Sequence, residues 1–314
     1  MRNLTQTPNC SANCALSATL RDGFALTLRA EGRSPKTLRV YLDAVDQLRA
    51  FTREQGMPDL PSLTAEHLRE FLGNLYARGN KPATVSNRYR ALRRFFDWLR
   101  EEGEVSESPM SRIKPPQVPA QVLPHYDAGE VEAMLRACDH STLAGARDRA
   151  IILMLFDTGM RGGELAGLNL ADLDLGRGTV LVRGKGGRER VVSIGSRTGL
   201  ALNRYLRTLQ RREALPPHGG VWVSQRADRL TFDGLRMLLQ RRAQKARVCF
   251  KGIHAFRRTS AIAFLEAGGY PDDLMTLMGW SSSQMLRHYT KATATERAVA
   301  AHKRLSPSDR LTLR

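Results

Sequence analysis

The sequence predicts a mainly α-helical protein of two domains, with a small β-hairpin in the second. Apolar residues recur at helical spacing along most of the chain. Two β-rich runs, T-V-L-V-R at 179–183 and R-E-R-V-V-S-I at 188–194, flank a G-K-G-G turn and read as a hairpin. The stretch I-K-P-P-Q-V-P-A-Q-V-L-P at 113–124 carries four prolines in twelve residues, which forbids a helix and marks an extended linker. A chain of 314 residues has room for two cores on either side of it.

The elements follow in order. Residues 1–19 are polar and weakly patterned, and are expected to form a flexible arm. A helical domain is expected over 20–112. Within it, Lys36 to Phe51 sets Leu38, Tyr41, Leu42, Val45 and Leu48 on one face. Thr64 is a plausible N-cap before Leu68, Phe71, Leu72 and Leu75. Thr84 opens a third helix that repeats Val85, Tyr89, Leu92, Phe96 and Leu99. Past the linker, a domain over 125–295 begins with a helix from Ala128 and a buried one from Asp148. The hairpin follows, then more helices. The tail, 296–314, contains A-V-A-A-H-K-R-L and reads as a last short helix.

Charge narrows the function. Lys and Arg total 49 against 31 Asp and Glu, a net +18, which attracts polyanions, nucleic acid above all. Both sides of the linker are basic. The third helix carries Arg88, Arg90, Arg93, Arg94 and Arg100; such a face is usually only solvated, but in this chain phosphate contact is expected. Residues 204–258 hold 14 Lys/Arg against 3 acidic residues, and Arg241, Arg242 and Lys245 in that tract are expected to contact DNA. Two basic domains on a linker suit a clamp around a duplex. No apolar run approaches the roughly 18 residues of a membrane span, and the N-terminus has no apolar signal core, so a cytoplasmic protein without membrane partners is expected. The cysteines at 10, 14, 138 and 249 lack a second Cys/His pair, so no metal site is expected.

The candidate chemistry is scattered. Arg161 stands in D-T-G-M-R-G-G-E-L, with Glu164 one helical turn on as a buttress; two glycines after the arginine let the backbone turn tightly and approach a ligand closely. Lys185 sits at the hairpin tip. The phosphate-loop reading of G-K-G-G fails for want of G-x-x-x-x-G-K-[ST] between strand and helix. His254 and Arg257 stand one turn apart and share a helix face. Trp280 follows Met278-Gly279, and Tyr289 follows in L-R-H-Y. Taken singly, each has a bland role: an arginine that caps, an exposed turn lysine, a tryptophan or tyrosine in a core.

Taken in order, they resemble the tyrosine recombinase, or phage integrase, family. The family's pattern is R-x-x-E-L, a hairpin lysine, H-x-x-R, G-[HW] and a nucleophilic tyrosine. This chain supplies R-G-G-E-L at 161–165, Lys185, H-A-F-R at 254–257, G-W at 279–280 and Tyr289 in H-Y-T-K. S-P-K-T-L-R-V-Y-L at 34–42 and K-P-A-T-V-S-N-R-Y at 81–89 resemble the family's SAM-like core-binding domain. The resemblance covers about residues 20–300. It departs at Arg258 and Trp280, where many relatives carry histidine. Tryptophan cannot accept a proton, so Trp280 is expected to donate its indole N–H and to pack.

The resemblance implies a site-specific recombinase of the simple Xer or Cre kind, with no room before residue 20 for an arm-binding domain. Tyr289 would attack the scissile phosphate and form a 3′-phosphotyrosyl link, so no ATP or other cofactor is needed. Arg161 and Arg257 would clamp the non-bridging oxygens in place of a metal, each such contact lowering the barrier by roughly 3 kcal/mol. His254 would assist the phosphate contact and proton transfer, and Lys185 would protonate the leaving 5′-oxygen. Glu164 would orient Arg161. The active form would be a tetramer on double-stranded DNA, made of identical subunits or shared with a related recombinase, with the tail docked on a neighbour. The alternatives are a type IB topoisomerase and a catalytically silent DNA-binding regulator on the same scaffold.

Overall fold

The computed structural model describes residues 10–119, 123–184, 187, 189–212, 219–224, 226–282, 286 and 294–310. The chain divides into two compact units, Met1–Gln121 and Val122–Arg314, with the divide inside the proline-rich stretch. No described helix is long and apolar enough to cross a membrane.

The first unit is helical. Helix α1 runs Cys10–Ala30, α2 Pro35–Glu54, α3 Ala65–Ala77 and α4 Pro82–Glu101. Starts are set by local chemistry. The Ser34 hydroxyl accepts the Thr37 N–H at 3.3 Å, and Pro35 presets the first helical φ. The Thr64 cap is where the sequence puts it, with His67 Nδ1 accepting the Thr64 N–H in return. Helix α4 starts two residues before Thr84, because Pro82 serves as its N1 residue. Helix α1 departs further from expectation: it begins at Cys10, inside the segment read as an arm. The run S-A-N-C-A-L-S-A-T-L has no proline or glycine to stop it. Leu20, Phe24 and Leu28 of α1 are buried in the unit's core. There Phe24 meets Phe95 edge-to-face at 5.2 Å, and Trp98 Nε1 donates to Thr27 Oγ1 at 3.0 Å.

In the second unit, α5 spans Ala128–Arg136, α6 Leu143–Thr158, α7 Gly162–Ala166, α8 Ser196–Arg211, α9 Phe232–Lys245, α10 Ile253–Glu266, α11 Pro271–Met278 and α12 Ala294–Leu305. Helix α6 starts at Leu143 rather than Asp148, because the Thr142 hydroxyl caps it through the Gly145 N–H at 3.0 Å. It is the buried axis of the unit: Ala150, Ile151, Ile152, Met154 and Leu155 are all inside. An antiparallel sheet of order β1-β2-β3 joins Leu173–Asp174, Thr179–Arg183 and Glu189–Ser193. Val180 pairs with Val192 and Val182 with Arg190, so the inward face carries three valines and one arginine. The short β1 has no alternating pattern of its own and is not visible in the sequence.

A buried ion cluster pins α6 to α9. Asp148 accepts Arg147 Nε at 2.9 Å and Arg242 Nε at 2.6 Å, while Arg147 Nη1 donates to Val223 O at 2.7 Å. Breaking a buried pair by removing one partner leaves charge uncompensated. Asp148→Ala is therefore expected to cost about 3–5 kcal/mol in chemical denaturation of the full chain. A loss below about 1 kcal/mol would show that the two arginines find other partners.

Candidate active site

The second unit brings residues from α7, α10, α11 and β3 to one place. Gly162 makes the first approach possible. A Cβ there would stand 2.8 Å from both Ile253 Cγ2 and Phe232 Cε2, so only glycine lets α7 seat against the starts of α10 and α9. Its φ is not positive, so its use is close packing rather than the tight turn the sequence suggested. Gly163 meets nothing.

Arg161 is the N-cap residue of α7 and Glu164 its third helical residue. The Glu164 carboxylate accepts the Arg161 backbone N–H and its Nη1, both at 2.8 Å. The Arg161 side chain keeps 42% of its surface exposed, and Nη1 is its one side-chain donor with a hydrogen-bond partner among the described residues. Glu164 is also gripped by Arg190, a residue the sequence reading did not single out. Arg190 Nη1 and Nη2 donate to the two carboxylate oxygens at 3.1 and 2.8 Å, and its Nε donates to Leu277 O at 2.9 Å. Arg190 thus ties β3, α7 and the last turn of α11 together. Its signal was strand parity: it lies on the inward face with Val192, where an arginine needs partners. Gly279 leaves it room, since a Cβ at its φ of +63° would come within 3.3 Å of Arg190 Cδ. Burial pushes the Glu164 carboxyl up, but hydrogen bonds from Arg190 and Arg161 outweigh it and hold the pKa at about 2.

Arg257 is 1% exposed. Its Nη1 donates to Gly159 O at 2.6 Å and its Nη2 to Met278 O at 2.5 Å. Gly159 and Gly279 are left-handed caps, at φ +58° and +63°, and the two carbonyls sit at the C-terminal ends of α6 and α11. The Arg257 guanidinium lies 5.4 Å from the centre of the Trp280 ring, a cation–π distance. Trp280 is buried with Ala261, Leu274 and Met278, and Leu286 packs on that cluster.

His254 is exposed on the first turn of α10. Crowding on one side of its ring, then the charges of Arg258, Arg257 and Arg161, push its pKa below the ordinary 6.5. Those charges put Arg161, Arg257 and Arg258 around His254 in one electrostatic neighbourhood. Arg258, where the sequence departs from the family pattern, is tied to the protein: its Nε donates to Pro124 O at 2.6 Å. Lys185 and Tyr289 lie outside the described residues.

The expected DNA contacts sort differently. Arg90 and Arg93 are exposed on α4, as are Arg241 and Lys245 on α9. Arg88 Nη1 reaches Val40 O at 3.3 Å, and Arg94 pairs with Glu31 and, at 3.1 Å, with Glu101. Arg242 is committed to Asp148 and, at 3.2 Å, to Ala137 O.

Two measurements check this electrostatic frame. Glu164 has a folded-state pKa below its unfolded 4.5, so its contribution is full above that value and fades as pH falls toward 2. Glu164→Gln should lower stability by about 3 kcal/mol at neutral pH, with the gap to wild type narrowing between pH 4.5 and 2. A gap that stays constant with pH would contradict it. In an NMR titration, His254 should protonate below pH 6.5, and Arg161→Ala should raise its midpoint. An unmoved midpoint would mean the two groups are not coupled.

These elements have known counterparts. The phage integrase family pattern matches residues 125–296, and the phage integrase N-terminal SAM-like domain matches 22–103. The tyrosine recombinase XerC of Oceanobacillus iheyensis is 30% identical over 291 residues, 90% of this chain and 95% of its own. That of Bacillus subtilis is 30% identical over 278 residues, 86% of this chain and 91% of its own. Among solved structures, XerH site-specific recombinase bound to palindromic difH substrate, in a post-cleavage complex, superposes with a TM-score of 0.71 at 22% identity, covering 91% of this chain and 84% of that one. A lambda integrase dimer bound to a COC′ core site gives 0.68 at 19% identity, covering 85% and 96%. With 172 residues in one continuous family match, and relatives aligned along nearly their whole length, this chain belongs to the phage integrase family of tyrosine recombinases.

Proposed function

We propose that the chain is a site-specific DNA recombinase that cuts and rejoins strands through a 3′-phosphotyrosyl intermediate on Tyr289. The observation that carries this reading is the convergence of Arg161, His254 and Arg257 from α7 and α10, with Glu164 and Trp280 as their supports. Two guanidiniums and an imidazole in one place make a site for a phosphodiester.

The reaction proceeds in two balanced steps. The Tyr289 oxygen attacks phosphorus as the bond to the 5′-oxygen breaks. The tyrosine proton passes toward His254, whose lowered pKa keeps the ring neutral and able to accept it at pH 7. Lys185, carried on the hairpin, gives its proton to the 5′-oxygen. The 5′-hydroxyl of a partner strand then attacks the phosphotyrosine, the bond to the tyrosine oxygen breaks, and the proton transfers reverse. One phosphodiester is exchanged for another, so the step needs no nucleotide hydrolysis. Arg161, its side chain 42% exposed, contacts the non-bridging oxygens as charge develops on them. Arg257 presents fixed charge from beneath, and Trp280 walls the site.

Exchange between two duplexes calls for four subunits, identical or shared with a related recombinase, and α12 with the residues after it docks on a neighbour. The helical first unit contacts DNA through the basic face of α4. The protein acts in the bacterial cytoplasm, on the nucleoid.

A nicked duplex that traps the cleaved strand provides the test. Wild type should form a covalent protein–DNA adduct that survives boiling in detergent. Tyr289→Phe should bind the same duplex and form none. An adduct from that variant would overturn the nucleophile assignment. With two labelled duplexes, strands should exchange; relaxation of supercoils without exchange would make the protein a topoisomerase instead.

A further inference from the structure

The second unit carries a basic groove that the active site does not use. It lies between α8 and the N-terminal half of α6, and has a volume of about 940 Å³. Six arginines line it: Arg149, Arg197, Arg204, Arg207, Arg211 and Arg212. Among the described residues none of the six pairs with a carboxylate, and Arg149 alone has a side-chain hydrogen bond, from Nη1 to Leu135 O at 3.3 Å. Two described carboxylates near its lining residues in the chain accept backbone and hydroxyl donors instead of these arginines. Asp139 accepts the Ser141 N–H and hydroxyl at 3.0 and 2.6 Å, and Asp157 accepts the Gly195 N–H at 2.7 Å.

The arrangement on α8 is regular. Arg197, Arg204 and Arg211 recur every seven residues, with Arg207 beside them, on the face opposite the buried Thr198, Leu202, Tyr205 and Leu209. At about 1.5 Å per residue, the stripe runs roughly 21 Å. It starts at the Asp157 end of α6, two residues from the Gly159 carbonyl that holds Arg257, and ends by His140. A single phosphate would fill a small part of it. Leu200 is the one large apolar side chain exposed along it among the described residues, so it has no hydrophobic stripe on which to seat an amphipathic helix. Regular charge over that length fits an evenly charged polymer, since a DNA strand carries a phosphate about every 3.4 Å along its axis.

We propose that this groove is a second DNA track, which binds the phosphate backbone of duplex beyond the segment held at the scissile phosphate. The proposal rests on the reading of the chain as a DNA recombinase. It gives the catalytic unit a grip whose strength depends on salt and not on sequence.

The test neutralises three exposed arginines in the full-length protein, as R204Q/R207Q/R211Q. The control neutralises three exposed arginines elsewhere, as R112Q/R136Q/R177Q. Binding to a long random-sequence duplex is measured against salt concentration. Losing three phosphate contacts should lower the slope of log K against log salt by about 2.7, and affinity at low salt at least tenfold. The control should change the slope by less than about 1, and both variants should melt with wild type. An unchanged slope in the groove variant, or an equal drop in the control, overturns the proposal. If the groove variant keeps its DNA slope but loses binding to polyglutamate, the groove takes an acidic protein and the DNA track is wrong. A wild type that forms no covalent adduct, yet shows the slope difference, sinks the recombinase reading and supports the groove.

Discussion

The Arg257 guanidinium, held between two helix-end carbonyls, is the constraint on which the second unit is built. A buried cation is costly unless nearly all its donors are met. Here the acceptors are Gly159 O and Met278 O, each at the negative end of a helix. Those carbonyls are available because both helices stop in left-handed glycines. Neither glycine can be replaced cheaply: a Cβ on Gly159 would stand 2.3 Å from Met278 Cε, and one on Gly279 would press on Arg190. The charge that the chemistry wants is therefore also the joint between α6, α10 and α11. The Trp280 ring closes the joint on its remaining side. A tryptophan does there what a histidine could not do as well, since its larger negative face suits a guanidinium.

Glu164 plays the matching part for the exposed arginine. Three hydrogen bonds from Arg190 and Arg161 Nη1, and a fourth from the Arg161 backbone, keep it ionised. The division of labour between its two arginines is clear from their exposure. Arg190 is 13% exposed and spends its guanidinium on protein, while Arg161 is 42% exposed and keeps donors for a ligand. Because Arg190 also holds Leu277 O, a shift of the β2–β3 hairpin is felt at both Arg161 and the turn that carries Trp280.

Much of this was legible in the sequence, for physical reasons. The hairpin showed because its valines alternate and its turn is glycine-rich. Thr64 showed because an N-cap leaves a local mark. H-x-x-R and R-x-x-E showed because one helical turn brings such residues together. What did not show depends on the third dimension. Arg190 looked like one more charge in a basic strand, although its parity with Val192 placed it inside. Gly162 read as a tight-turn residue that lets a ligand come close, and only the proximity of Ile253 and Phe232 reveals it as a packing requirement. Helix α1 was cut at Leu20 because its first half lacks apolar periodicity, although nothing in those residues breaks a helix.

Charge density was the least faithful guide, and the reason bears on how this protein holds DNA. The tract 204–258 is the most basic in the chain, yet many of its cations face inward. Arg229 is bound to the carbonyls of Gly167 and Leu168, Arg242 to Asp148, Lys251 to Glu130, Arg257 to two helix ends and Arg258 to Pro124 O. An arginine in that position already has its donors engaged and contributes little to counterion release. The arginines of α8 differ in pairing with no carboxylate among the described residues. Net charge sets the long-range attraction for a polyanion. Which phosphates are gripped is decided by the smaller set of guanidiniums that the fold leaves uncommitted, and among the described residues α8 carries a row of them.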